Sequence, residues 1–70
     1  MPSPVRFAVL KKLYLDAGWR LERANGSHHI FKSPRGATES VPVHGKKVLP
    51  IYVRKAKKAI QADKDSGERG

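Results

Sequence analysis

Apolar residues recur at helical spacing near the start of the chain. Phe7, Leu10, Leu13, Tyr14 and Ala17 share one face, with Val9 beside them, while Arg6, Lys11 and Lys12 fall largely elsewhere. Ser3 suits an N-cap, Pro4 a first helical position and Gly18 a stop, which predicts a helix over residues 4–17. Residues 19–24 then alternate apolar and polar, a strand pattern. Asn25-Gly26 follows as a hairpin turn, and residues 27–33 read as a second strand around Ile30 and Phe31. Pro34-Arg35-Gly36 is a turn. Residues 38–43 read as a third strand, with Pro42 indicating an edge or strand end, and His44-Gly45-Lys46-Lys47 reads as a loop. A second helix is predicted from about residue 50 to 62. Its stripe is Leu49, Val53, Ala56 and Ile60, and no side-chain cap precedes Pro50. Residues 63–70 are polar and read as a frayed tail.

The predicted order is helix, strand, strand, strand, helix. Two apolar stripes and one apolar sheet face are buried together by an α+β fold, a three-stranded antiparallel sheet with both helices on one face. A chain of 70 residues holds one such domain, here residues 1–62, followed by a flexible tail at 63–70. Domains of this size bury roughly 60% of their unfolded surface, so stability is marginal. Without cysteine there is neither a disulfide framework nor a cysteine-ligated zinc. The longest apolar run, Phe7-Ala8-Val9-Leu10, is far short of a membrane span, and no signal-peptide segment precedes it. A cytoplasmic location with no membrane partner is expected.

Charge changes the picture. Fifteen Lys and Arg against six Asp and Glu give +9 and a pI near 10.4, which predicts a polyanionic partner. Lys46 and Lys47 stand before the uncapped second helix, a reasonable phosphate site, and Arg54, Lys55, Lys57 and Lys58 cover that helix's polar face. The glycine patterns of dinucleotide-binding and P-loop folds are absent. With Asn25-Gly26 as a two-residue turn, Arg23 faces His28 and Glu22 faces His29. Imidazole moves protons near neutral pH, and a neighbouring guanidinium favours its neutral, basic form. The same cation can stabilise charge developing on a phosphate. These parts suffice for RNA transesterification, though a strand histidine beside a tight turn can equally be a surface residue without a role. Adjacent strand residues point to opposite faces, so His28 and His29 chelate poorly, and the six carboxylates are scattered. No metal and no other cofactor is expected.

Gly18-Trp19, Gly26-Ser27-His28 and Val41-Pro42-Val43-His44, in that order and spacing, resemble the HicA family of mRNA interferase toxins over about residues 5–60. The resemblance implies a fold similar to double-stranded RNA-binding domains. It also implies ribonuclease cleavage of mRNA, which arrests translation, and neutralisation by a HicB-type antitoxin. The histidine directly after Gly-Ser, His28, is then the catalytic residue. Gly26, Ser27, Arg23, His29, His44, Lys46, Lys47, Arg54 and Lys58 are supporting or RNA-binding candidates. The chain departs from the family at the second helix, which starts Pro50-Ile51-Tyr52 in place of a Gly-Thr-Leu-like sequence. The free toxin is expected to be monomeric. The competing reading is a non-catalytic RNA-binding module of the same fold, which recognises RNA by shape and phosphates with no need of His28.

Overall fold

The computed structural model describes residues 3–68. Two helices, α1 (Phe7–Asp16) and α2 (Pro50–Glu68), pack against a three-stranded antiparallel sheet of β2 (Arg20–Asn25), β3 (His28–Lys32) and β4 (Thr38–Pro42), with β3 central. The predicted α+β architecture is therefore present. A second, two-stranded sheet joins β1 (Val5–Arg6) to β5 (Lys47–Val48), pairing Val5 with Val48 and Arg6 with Lys47. The chain pattern does not announce this ribbon.

The ribbon corrects the start of α1. The helix begins at Phe7, not at Pro4, with Arg6 as an extended N-cap that makes no side-chain hydrogen bond. The Ser3-Pro4 signal is local, whereas pairing with β5 satisfies the backbone of Val5 and Arg6, and the Phe7 N–H donates to the Lys46 carbonyl at 2.8 Å. The predicted stop holds. Gly18 adopts φ 88°, its N–H bonds the Leu15 carbonyl at 3.0 Å, and the Trp19 N–H bonds the Tyr14 carbonyl at 2.9 Å. This double reversal caps the helix and turns Trp19 into the core. A Cβ at residue 18 would stand 3.2 Å from the Pro34 ring.

The core lies between the helices and one sheet face. Leu10, Tyr14, Trp19, Phe31, Val41, Val48 and Ala56 are buried there. Tyr14 stacks on Phe31 at 4.4 Å and tilts against Trp19 at 4.8 Å between ring centroids. Each fully buried large apolar side chain contributes roughly 1.5–3 kcal/mol. Burial pushes the Tyr14 hydroxyl up to about 12, with Glu39 adding a smaller push.

The second helix is also corrected. It runs to Glu68, six residues past the predicted end at 62. Val53, Ala56 and Ile60 face the core as expected, but Leu49 precedes the helix and is 59% exposed. Tyr52 and Ala59 widen the stripe instead. Asp63, assigned to the tail from its polarity, is buried: Ser33 Oγ–H donates to it at 2.7 Å and the Arg35 guanidinium at 3.0 Å. The Ser33 oxygen also accepts from the Ala37 N–H at 2.8 Å, so one carboxylate clamps α2 to the β3–β4 turn. Among the described residues no helix is long and apolar enough to cross a membrane.

Candidate active site

The β2–β3 hairpin turns at Gly26-Ser27, one residue later than Asn25-Gly26. Asn25 pairs with His28, Ala24 with His29 and Arg23 with Ile30. Gly26 has φ 58° and Ser27 has no positive φ, the pattern of a turn with glycine at its first central position. The Ser27 carbonyl accepts the Val43 N–H at 2.6 Å, which ties the turn to the end of β4. The register then shifts between Leu21 and Arg23, and Leu21 pairs with Phe31. In the register read from the sequence, Leu21 faces Ile30 and Phe31 lies on the opposite sheet face. The bulge brings Leu21 and Phe31 to one face, so core burial decides the register over the local turn signal.

The consequence for the two histidines is a clean division. His29 shares the helix-covered face with Phe31, opposite Ala24 and Val41, and not beside Glu22. Its ring lies 4.6 Å from that of Phe7, and its Nδ1 is buried without a hydrogen-bond partner. Glu22, next to the bulge, forms an ion pair with Lys32 at 3.7 Å instead. His28 is exposed on the outer face, between Asn25 on β2 and Pro42 on β4. Arg23 is not its direct partner, yet stays on its face as the diagonal neighbour. Such positions are about 7–8 Å apart, within reach of a long side chain. Among the described residues no hydrogen bond or ion pair occupies the His28 imidazole.

His44, Gly45, Lys46 and Lys47 form a tight turn, not an open loop. His44 and Lys47 exchange backbone hydrogen bonds of 2.9 and 3.0 Å, with Gly45 at φ 58° and Lys46 at φ 64°. Positive φ at both central residues matches the twist of the strands that the turn joins. His44 lies two residues beyond Pro42 and lines a small pocket with Pro42, Lys47 and Leu49. The sequence sets Lys46 and Lys47 before the second helix; in the fold they also flank the start of α1, beside Arg6 and Lys11. Arg54 and Lys58 are exposed on α2, in the helical layer behind the sheet face that carries His28. The fold thus gathers Gly26, Ser27, Arg23 and His28 at one end of the sheet, with His44 nearby, and leaves Arg54 and Lys58 apart. Pro42 and Asn25 as the flanks of His28 escaped the sequence reading, because both depend on register.

An exposed imidazole with a guanidinium on its face, on a chain of this charge, can exchange protons with a polyanionic substrate. Residues 9–62 match the family described as the HicA toxin of bacterial toxin-antitoxin pairs. That stretch is well over half of the chain. The chain belongs to the HicA toxin family. No curated protein and no solved structure matches it. The HicA match spans α1 from its first turn through most of α2, so it includes the hairpin with Gly26-Ser27-His28 and the His44 turn. Membership makes this a toxin of a toxin–antitoxin pair, a class that in general acts on RNA and is held by a cognate antitoxin. Among the described residues no three His, Cys, Asp or Glu side chains gather as a metal cluster would require.

Proposed function

We propose that this HicA toxin is a metal-independent endoribonuclease of the cytoplasm that cleaves mRNA with His28 as its proton-transfer group. The observation that carries the reading is the exposed His28 imidazole on the outer face of the hairpin, with Arg23 on the same face at the diagonal position, in a domain of this family. Neutral imidazole takes the proton of a ribose 2′-hydroxyl. The 2′-oxygen attacks the adjacent phosphorus, the bond to the 5′-oxygen breaks, and that oxygen takes up a proton. Arg23, on the same sheet face, is the cation that offsets charge gathering on the phosphoryl oxygens. A HicB-type antitoxin covers this end of the sheet and excludes RNA.

The test compares wild type with His28→Ala on an mRNA transcript in excess EDTA. Wild type cleaves; the variant loses about 10²–10⁴-fold in rate while melting like wild type, as expected for an exposed acid–base group. A 2′-deoxy nucleotide at the cut position blocks cleavage. Undiminished cleavage by folded His28→Ala protein would remove the assignment, and loss in EDTA with rescue by Mg²⁺ would point to a metal mechanism. RNA binding with no cleavage by wild type would favour the plain RNA-binding module.

A further inference from the structure

The Gly45-Lys46 turn separates two concavities. On one side lies an open groove of about 520 Å³ whose floor is Phe7 and Ala8 and whose rim carries Arg6, Lys11, Lys46 and Lys47. No carboxylate lines it, and among the described residues none of these four cations pairs with one. Phe7 is held from behind by His29 and Phe31, with ring centroids 4.6 and 6.1 Å away, so the floor is fixed. On the other side lies a pocket of about 200 Å³ walled by Pro4, Pro42 and Leu49, with His44 and Lys47 as its polar members. Lys47 lines both. Pro42 is also the cross-strand partner of His28. Lys47 thus links groove to pocket, and the Pro42 pairing links the pocket to the strand position of His28.

We infer that the groove and the pocket are successive nucleotide subsites for single-stranded RNA, with a base on Phe7, a second base against His44 and Pro42, and Lys47 on the phosphate between them. An apolar floor with a purely cationic rim is complementary to a planar base carrying a phosphodiester. Base stacking on aromatic rings, histidine included, beside a basic track is how single strands are held without a sequence code. An acidic peptide would match the rim as well; the shared Lys47 and the pairing of Pro42 with His28 favour the strand that His28 is proposed to cut. The inference rests on the ribonuclease reading for the identity of that strand.

The experiment uses His28→Ala protein and a short fluorescein-labelled single-stranded RNA, titrated by anisotropy across a range of salt. Lys46→Gly suits the left-handed position and removes one cation; Lys11→Ala removes another from the opposite rim. Each should weaken binding about fivefold near 0.1 M salt and flatten the salt slope by about 0.7, the value for one phosphate contact to a single strand. Lys64→Ala, exposed on α2 away from the groove, should change neither. In a parallel titration with adenosine 3′-monophosphate, the amide signals of Phe7, Ala8 and Gly45 should shift. Unchanged affinity in both groove variants, or an equal loss in Lys64→Ala, overturns the subsites. Loss of antitoxin binding alone would make the occupant a protein and overturn them too. Wild-type cleavage scores the ribonuclease reading separately: cleavage with a silent groove discards only the subsites. Groove shifts without cleavage discard the reading and leave a nucleotide site.

Discussion

Adjacent histidines, His28 and His29, have opposite fates because strand residues alternate faces. His28 is exposed on the outer face; His29 sits under Phe7 with a shielded Nδ1 that no donor or acceptor reaches. His29→Ala should therefore cost stability, about 1 kcal/mol from lost packing, with a smaller effect on cleavage than His28→Ala. His29→Leu should melt at or above wild type, since an unpartnered buried polar atom is replaced by carbon. Urea melts of the two variants decide this, and an equal loss in both would show that the imidazole itself matters. Tyr14 makes a pH prediction. Its folded-state value of about 12 lies above the ordinary 10, so the folded protein holds the proton longer than the unfolded chain. Its contribution is full below pH 10 and is lost as pH rises towards 12, up to about 3 kcal/mol. Tyr14→Phe should flatten that alkaline loss in melts taken across this range, and parallel curves for the two proteins would refute the cause.

Among the elements, α2 shows most plainly how one residue sets a boundary. The segment after Ala62 has no apolar stripe, yet Asp63 is buried against Ser33 and Arg35, and the helix continues to Glu68. Asp63→Ala leaves the Ser33 hydroxyl without its acceptor and should cost about 2 kcal/mol, most of it from that buried hydrogen bond. Arg35 is partly exposed, so its share of the pair is small. Chemical denaturation of Asp63→Ala, and of a chain ending at Ala62, should show similar losses. A truncated chain as stable as wild type would mean that the clamp contributes nothing. The hairpin obeys the same logic from the other direction. Asn25-Gly26 is a strong local signal, but it loses to Gly26-Ser27 because a bulge next to Glu22 lets Leu21 and Phe31 share the buried face.

For the whole molecule, charge is the dominant property. With +9 on 70 residues, RNA binding should be salt-dependent, with a slope near −3 if about four of Arg23, Lys46, Lys47, Arg54 and Lys58 meet phosphates. The fold leaves Arg54 and Lys58 in the helical layer, so Arg54→Ala and Lys58→Ala should lower that slope less than Lys47→Ala. Salt titrations of the variants check this, and a slope near zero for wild type would contradict electrostatic binding. A partner that binds only the folded chain raises its melting temperature by mass action. Purified HicB-type antitoxin should therefore stabilise the toxin, inhibit cleavage fully and protect the amides around Ser27 to Ile30 from hydrogen exchange. Inhibition without protection there would replace occlusion with an indirect route.

The amino-acid sequence by itself determined the two helices and the three strands of the main sheet in their order, the stop of α1 at Gly18 and the separation of His28 from His29 by face. Each rests on information carried within a few residues: a helical or alternating period, a glycine able to take positive φ, the strand's two-residue repeat. The family is legible in the sequence too, because Gly26-Ser27-His28 and Val41-Pro42-Val43-His44 are short motifs at a set spacing. Tertiary structure decided what depends on distant partners. Val5 and Arg6 became a strand only because Val48 and Lys47 lie beside them, and α1 accordingly starts late. Asp63 joined the body of the fold only because Ser33 and Arg35 present donors to it. The direct neighbours of His28 are Asn25 and Pro42, with Arg23 on the diagonal, because burying Leu21 and Phe31 on one face outweighs the preference of a two-residue turn. A turn preference acts over four residues, whereas the register is set by every side chain that the sheet places in the core.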